Sequence, residues 1–252
     1  MKYAVVTGSS RGLGESIIKL LMEQEVHVIG IARNSNVQLK KRAAELSISY
    51  EEDVCDLTNP SQIEQVFTSV SNKVFSKETE AVYLINNAAM VDPIDISGNH
   101  SIGQLTNHVH VNLLAPMITT NLFLEKAMQE DIPVIITNVT SGAANRAVYG
   151  WSNYCSTKAG LDRFTETVAT EQNDLDTKNK VILFNPGIMD TEMQGEIRSS
   201  NKDSFKDVDT FIQYKNENNL RDTDEVANVL VRILSDTNAI TNGKNYSVKD
   251  YM

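Results

Sequence analysis

The stretch KYAVVTGSSRGLG at residues 2–14 decides the fold. Its first six residues are a short run rich in β-branched side chains, which is typical of a buried parallel strand. Three glycines in GxxxGxG spacing follow at once, and apolar side chains then recur at helical spacing over residues 17–21. Strand, glycine-rich turn and helix in this order predict a βα unit whose helix N-terminus binds a dinucleotide pyrophosphate, with an ordinary strand-to-helix turn as the alternative. The residues expected to contact the cofactor here are Gly8, Ser10, Arg11, Gly12, Leu13 and Gly14.

Strand-like runs recur along the chain and alternate with helical patterns. They lie at residues 2–7, 26–32, 47–54, 81–86, 132–138 and 180–185. This alternation predicts an α/β protein with a doubly wound Rossmann fold, built on a parallel sheet of about seven strands. A length of 252 residues is within the range of one such domain, so we expect residues 1–252 to form a single dinucleotide-binding domain.

The composition argues against several classes of protein. The formal net charge of −10 disfavours nucleic acid as a partner. No apolar stretch reaches the roughly 20 residues that a membrane span needs, and no leader precedes the first strand, so we expect no membrane partner and a cytoplasmic location. Cys55 and Cys155 are too few for a disulfide framework or a zinc site. We expect no metal site, and structural or surface roles for the four histidines, His27, His100, His108 and His110.

The end of the second strand favours NADPH over NADH. A site that prefers NAD usually has an acidic residue there, which accepts the ribose 2′-hydroxyl. This chain has Ala32 and then Arg33. Arg33, together with Arg11 of the glycine loop, could pair with a 2′-phosphate. Solvated surface roles for both arginines are the alternative.

Tyr154 and Lys158 have the spacing of an acid–base pair. Residues four apart share one helix face, so the phenol and the ammonium project together. We expect the cation to lower the pKa of the tyrosine from its ordinary value of about 10 toward neutrality. Ser141, thirteen residues before Tyr154, could hydrogen-bond the same substrate oxygen. The pattern indicates proton transfer to a carbonyl that is being reduced, although a surface Tyr–Lys pair is the commoner meaning of this spacing.

Taken together, the motifs resemble the short-chain dehydrogenase/reductase family over nearly the whole chain. Besides the glycine motif they are the pair Asp56-Leu57, the run Asn86-Asn87-Ala88-Ala89, the turn Asn185-Pro186-Gly187, and the set Asn112, Ser141, Tyr154 and Lys158. The resemblance implies that NADPH delivers a hydride to a small-molecule carbonyl substrate while Tyr154 protonates its oxygen. It also implies a homodimer or homotetramer, formed through the long helices near residues 103–128 and 153–173.

The resemblance assigns further cofactor contacts. It implies that Asp56 and Leu57 contact the adenine, that Lys158 also holds the nicotinamide ribose, and that Asn112 anchors a water leading to Lys158. The family usually has glycine where this chain has Ala89; we expect a local adjustment without loss of cofactor binding, because alanine is still small. The remaining expected contacts are Asn87, Ala88, Pro186, Gly187, Ile188 and Thr191, the last to the nicotinamide carboxamide.

The run DTEMQ at residues 190–194 most resembles sepiapterin reductases and the bacterial benzil reductases close to them. Sepiapterin reductases carry an aspartate near the C-terminus that binds the pterin, and aligning their closing segment puts Ser247 at that place. Serine cannot make the bidentate contact of a carboxylate, so the resemblance favours an aromatic α-dicarbonyl such as benzil. A sepiapterin reductase, a 3-oxoacyl thioester reductase and a non-catalytic NADP(H)-binding regulatory protein are the alternatives.

The substrate pocket is harder to predict. Trp151 and Tyr149 lie just before Tyr154 and could form an aromatic wall, or Trp151 could pack between helices or at a subunit contact. Residues 195–222 are polar and poorly periodic, which favours a mobile lid over the substrate, with a surface loop as the alternative. The residues expected beside the substrate are Ser141, Tyr149, Trp151 and Met189, with Ala143, Ala144 and Ile188 completing the wall.

Overall fold

The computed structural model describes all 252 residues, and one sheet of seven strands forms its centre. In the sheet the strands lie in the order β3-β2-β1-β4-β5-β6-β7, and every adjacent pair is parallel. The predicted doubly wound α/β fold is therefore confirmed. The strands are β1 Lys2–Thr7, β2 His27–Ala32, β3 Tyr50–Val54, β4 Ala81–Asn86, β5 Val134–Val139, β6 Lys180–Asn185 and β7 Asn245–Ser247.

Helices cover both faces of the sheet, which is why the central strands are continuous apolar runs. Helices α1, α2 and α9 pack on one face, and α3, α5 and α6 pack on the other. None of the helices combines the length and the apolar character needed to cross a membrane. The helices are α1 Gly12–Glu23, α2 Val37–Leu46, α3 Pro60–Val74, α4 Ile102–Val109, α5 Ala115–Glu130, α6 Ser152–Asp174, α7 Glu192–Arg198, α8 Val208–Asn216 and α9 Thr223–Ser235.

The strand order reverses at β1, which pairs with β2 on one side and β4 on the other. The Thr7 hydroxyl, at the end of β1, accepts hydrogen bonds from the backbone N–H groups of Asn87 and Ala88, each at 3.0 Å. The Asn87 side chain donates in return to the Thr7 carbonyl at 2.9 Å. These contacts hold the carboxyl ends of β1 and β4 together at the point where doubly wound sheets bind their ligands.

Two long helices lie where the sequence predicted them. The helix expected near residues 103–128 consists of α4, a π-helical turn at His110–Leu114, and α5. The helix expected near residues 153–173 is α6. A π-helical turn inside a longer helix is frequently found at a functional site.

Residues 195–222 do not form a surface loop, so that alternative is wrong. The segment contains the end of α7 and the whole of α8, and the Phe205 side chain has no exposed surface. Phe205 stacks on Trp151 with 4.8 Å between ring centroids, and Phe211 meets the same indole edge-on. Periodicity misses this packing because the two phenylalanines stand in a polar stretch and contact a residue far away in sequence. A lid movement of this segment stays a prediction.

Candidate active site

Tyr154 and Lys158 lie on one buried face of α6, one helical turn apart. Only 8% of Tyr154 and 2% of Lys158 are exposed. Lys158 Nζ donates to the carbonyl of Val139, the last residue of β5, at 2.8 Å. The same nitrogen lies 5.8 Å from the centroid of the Tyr154 ring. The helix therefore holds the phenol and the ammonium against the carboxyl end of β5.

Ser141 follows β5 and stands beside Tyr154. Its hydroxyl accepts the backbone N–H of Ala143 at 3.2 Å, at the start of the 3₁₀ turn Gly142–Asn145. It is close enough to the phenol to lower the pKa of Tyr154. The fold thus brings Ser141, Tyr154 and Lys158 together from the end of one strand and the first turns of one helix.

The expectation that Lys158 lowers the pKa of Tyr154 is wrong for this structure. Burial raises the pKa of the Tyr154 phenol above its ordinary value, and the Ser141 hydroxyl opposes that shift only in part. Lys158 does not offset the burial, because its ammonium donates to the Val139 carbonyl and stays 5.8 Å from the ring centroid. Tyr154 is therefore protonated at neutral pH, as the acid in a carbonyl reduction must be.

Lys158 itself is the group whose charge changes near neutral pH. Burial lowers the pKa of Lys158 to about 8, and the Asp162 carboxylate raises it only in part. Asp162 lies one turn further along α6 and accepts a hydrogen bond from the Thr140 hydroxyl. Sequence reasoning missed Asp162, although its spacing of four from Lys158 is a signal that could have found it.

Asn112 is held in the π-helical turn with its side chain fully engaged. Its Oδ1 accepts the backbone N–H of Met90 at 2.9 Å, and its Nδ2 donates to the Met90 carbonyl at 2.7 Å. Nδ2 also lies 2.9 Å from Nε2 of His108, a buried residue that sequence reasoning gave only a structural or surface role. The water expected at Asn112 stays a prediction; on the side chain only the second lone pair of Oδ1 is left to bind it, because both N–H groups of the amide already have partners.

The glycine loop has the shape that a dinucleotide pyrophosphate requires. Gly8 and Gly12 have φ angles of +69° and +58°, which residues with side chains rarely adopt. A Cβ on Gly14 would lie only 2.2 Å from the Gly8 carbonyl oxygen, so glycine is what lets α1 start this close to the loop. The first turn of α1 is thereby open to an anion, and the residues present fit a nicotinamide dinucleotide.

The other predicted cofactor residues lie along the same edge of the sheet. Leu13 is buried in α1, and the Ser10 carbonyl accepts a hydrogen bond from Asn36 at 3.0 Å. Ala89 does not have a positive φ, so alanine is unstrained where the family usually has glycine. Leu57 is buried, and hydrogen bonds from Thr58 hold the pKa of Asp56 below its ordinary value, with Arg33 adding to the effect.

The two arginines expected near a 2′-phosphate differ in their surroundings. Arg33 takes part in no ion pair within the chain. Arg11 is paired with Glu192 at the start of α7, and both of these side chains are more than half exposed. No pattern in the sequence predicted this ion pair. It leaves Arg33 as the more available of the two guanidinium groups.

The turn after β6 has a backbone conformation that would let a cofactor approach it closely. Gly187 has a φ of +69°, and its N–H donates to Asn185 Oδ1 at 3.1 Å. Thr191 caps α7 by accepting the backbone N–H of Gln194 at 3.4 Å. Pro186 is buried, and the Ile188 carbonyl accepts the backbone N–H of Arg221 at 3.2 Å. The turn therefore presents residues 187–191 at the carboxyl edge of the sheet, beside the glycine loop.

The predicted aromatic wall is only partly assembled. Trp151 is buried and packs between α6 and Phe205, as the packing alternative expected, yet its ring also meets Tyr154 edge-on at 5.3 Å. Tyr149 is 47% exposed, and its ring lies under the Lys206 ammonium. Met189 instead packs against the core on the α1 face, because a β-bridge to Arg221 fixes its backbone.

An apolar cluster, which we call the aromatic cluster, surrounds Tyr154. It joins the start of α6 to α7 and α8 and consists of Val91, Ala143, Val148, Trp151, Tyr154, Ile197, Phe205, Val208 and Phe211. No group of three or more histidine, cysteine, aspartate or glutamate side chains has the arrangement of a metal site. Tyr154 is therefore packed among aromatic and aliphatic side chains, with little of its own surface exposed.

Comparisons with known proteins agree with this geometry. A family model described as short chain dehydrogenase matches residues 2–202. The benzil reductase ((S)-benzoin forming) of Bacillus subtilis is 35% identical over 252 residues, which cover 100% of both chains. The crystal structure of the short-chain dehydrogenase/reductase YIR035C from Saccharomyces cerevisiae is 26% identical, with a TM-score of 0.81 and coverage of 98% of this chain and 96% of that one. A 4-hydroxyisoleucine dehydrogenase complexed with NADH has a TM-score of 0.80 with coverage of 98% and 96%; at 21% identity this likeness concerns the fold alone.

The pKa of Lys158 predicts the alkaline limit of activity. As the pH rises through about 8, the ammonium loses its proton while Tyr154, whose pKa is raised, remains an acid. We expect kcat/KM for carbonyl reduction to fall above about pH 8, and to fall at lower pH in Asp162→Asn, which lacks the carboxylate that raises the pKa of Lys158. Initial rates between pH 6 and 10 measure this. A profile that is flat to pH 10, or the same in both proteins, would contradict it.

Proposed function

The chain belongs to the short-chain dehydrogenase family and is an oxidoreductase acting on carbonyl and alcohol groups. Within that family we propose that it is an NADPH-dependent reductase of aromatic α-dicarbonyls such as benzil. The observation that carries the proposal is the placing of Tyr154, a protonated phenol, within the aromatic cluster. Because the side chains around the phenol are apolar, a substrate that presents aryl groups to it would lose little solvation there. The full-length similarity to a benzil reductase supports the same substrate class.

The proposed roles follow from the positions of the side chains. Tyr154 donates its phenolic proton to the substrate oxygen, and the Ser141 hydroxyl hydrogen-bonds that oxygen as negative charge develops on it. Lys158 places a positive charge below the tyrosine and is held there by the Val139 carbonyl. Asn112 fixes the loop after β4 through both backbone groups of Met90. The nicotinamide, when bound, supplies the hydride.

The choice of NADPH rests on the end of β2. The residues that end β2 include no carboxylate, and Arg33 is not committed to an ion pair. Glu52 and Asp53 of β3 line the adjoining pocket, but Glu52 is already paired with Lys40 at 2.7 Å. A guanidinium can make two charge-assisted hydrogen bonds to a phosphate. Arg11 would have to give up Glu192 to do the same, so we assign it the smaller part.

We also propose that the protein is a homodimer or homotetramer. Helix α4 exposes an apolar stripe, with Ile102 83% exposed, Leu105 36% and Val109 42%. Their spacing of three and four residues puts them on one face, at the start of the long helix that the sequence indicated near residues 103–128. An exposed apolar stripe of this kind is typical of a subunit interface. A cytoplasmic location stays a prediction from the sequence.

Tyr154→Phe tests the reaction. Removal of the general acid should lower kcat for benzil by about 10²- to 10⁴-fold, while NADPH binding measured by fluorescence titration stays close to that of the wild type.

Parallel wells with benzil, sepiapterin and an acetoacetyl thioester test the substrate class through the loss of NADPH absorbance. Near-full activity of Tyr154→Phe would exclude the mechanism. Faster turnover of sepiapterin or of the thioester than of benzil would show that the proposed substrate class is wrong.

Arg33→Ala tests the cofactor. Loss of even one charge-assisted hydrogen bond, worth about 1.5–3 kcal/mol, should raise KM for NADPH by about 10- to 100-fold. KM for NADH, which has no 2′-phosphate, should change little and serves as the internal control. Equal catalytic efficiency of the wild type with both cofactors would rule out the preference.

Val109→Asp tests the subunit contact. A charge in the apolar stripe should shift the protein to monomer in size-exclusion chromatography with light scattering. Val37→Asp is the matched control, because Val37 is 71% exposed on α2, away from the stripe. A wild type that runs only as a monomer at working concentration would defeat the proposal.

A further inference from the structure

His108 is fully buried and lies at the junction of three elements of the site. It is the seventh residue of α4, and 0% of its surface is exposed. Its Nδ1 lies 2.6 Å from the carbonyl oxygen of Asp92 in the loop after β4. Its Nε2 lies 2.9 Å from Asn112 Nδ2 and 3.2 Å from the Thr157 hydroxyl, next to Lys158 on α6. The ring also meets Tyr154 edge-on, with 6.2 Å between centroids.

The contacts of Asn112 fix the orientation of its amide. Met90 offers one donor, its N–H, and one acceptor, its carbonyl, and both bind the Asn112 side chain. The oxygen of the amide must face the N–H and the nitrogen must face the carbonyl, since the reverse would mispair both groups. The second N–H of Asn112 therefore points at His108 Nε2.

That orientation fixes the tautomer of His108. An amide nitrogen can only donate, so Nε2 must be the bare nitrogen that accepts. A carbonyl oxygen can only accept, so Nδ1 must carry the proton that it donates to Asp92. Two independent contacts thus require the neutral Nδ1–H form. The single proton of the Thr157 hydroxyl also has the carbonyls of Asn153 at 2.9 Å and Tyr154 at 3.2 Å as acceptors, so its 3.2 Å contact with Nε2 does not decide the tautomer.

We propose that His108 is a positioning residue for Asn112 and works only as the neutral Nδ1–H tautomer. It completes the hydrogen bonding of the Asn112 amide and ties that amide to the Asp92 loop and to the catalytic helix α6. The effect on turnover rests on the proposed carbonyl reduction; the tautomer does not.

Protonation of His108 would break this arrangement. A proton on Nε2 would face the Asn112 N–H at 2.9 Å, donor against donor, and the amide cannot turn over without losing Met90. Burial lowers the pKa of His108 below its ordinary 6.5, and the charges of Lys158 on α6 and of His100 in the loop lower it further. The carbonyl and carboxylate of Asp92 oppose this in part, so the neutral form persists at neutral pH and is lost only in acid.

Three variants separate positioning from mere packing. His108→Leu keeps a similar volume and leaves the Asn112 N–H unpaired; we expect kcat to fall by about tenfold or more, because an unsatisfied buried donor is costly, with KM for NADPH within about twofold. His108→Gln restores an uncharged acceptor, so it should recover most of kcat. We expect the wild type to lose kcat in acid, below the ordinary histidine pKa of 6.5, as His108 takes up a proton; His108→Gln should lack this acid limb.

His110→Gln is the matched control. His110 stands in the same π-helical turn but binds the Thr58 carbonyl at 2.8 Å and does not touch Asn112. This variant should keep both the wild-type kcat and the acid limb. A wild-type kcat in His108→Leu, or an acid limb that persists in His108→Gln, would overturn the proposal.

A spectroscopic measurement decides the proposal without any turnover. Long-range ¹H–¹⁵N spectra distinguish the two neutral histidine tautomers, and His108→Gln assigns the signal. We expect the Nδ1–H form at pH 7. An Nε2–H signal, or a ring that titrates above pH 6.5, would overturn it. A wild type that shows Nδ1–H yet reduces none of the carbonyls would count against the proposed function alone.

Discussion

The parallel pairing of β1 with β4 is the constraint on which the rest of the structure depends. It reverses the strand order and holds the two carboxyl ends together through Thr7, Asn87 and Ala88. Because all seven strands run the same way, the glycine loop, the Asn87 turn, Ser141 and the Gly187 turn emerge along one edge. A single antiparallel strand among them would have carried its loop to the opposite edge, and the site would have been incomplete.

Burial gives the site its electrostatic character. Tyr154 and Lys158 both enter the interior at the first turns of α6, where desolvation disfavours whichever form is charged. The pKa of the phenol therefore rises while that of the ammonium falls. The consequence is an acid that keeps its proton and a lysine that is close to losing its own. A site that was merely a Tyr–Lys pair on an exposed helix would show neither effect.

Aromatic packing connects the segment after the Gly187 turn to helix α6. Trp151 touches Tyr154 on one side and Phe205 on the other, and Phe211 closes the same cluster. Helix α7, which begins directly after the Gly187 turn, contributes Ile197 to it. The segment that follows the Gly187 turn is thus packed against Trp151, three residues before Tyr154.

The sequence by itself determined the fold, the glycine loop and the pairing of Tyr154 with Lys158, because each depends on neighbours within a few residues. β-Branched runs mark strands, glycines mark the close turn, and a spacing of four marks one helix face. Tertiary structure decided the rest. The direction of the Tyr154 pKa shift, the burial of Phe205 and the contacts of His108 with Asp92 and Thr157 all arise between segments separated in the chain. Local pattern carries no information on such contacts, since desolvation and hydrogen-bond geometry exist only once the chain has folded.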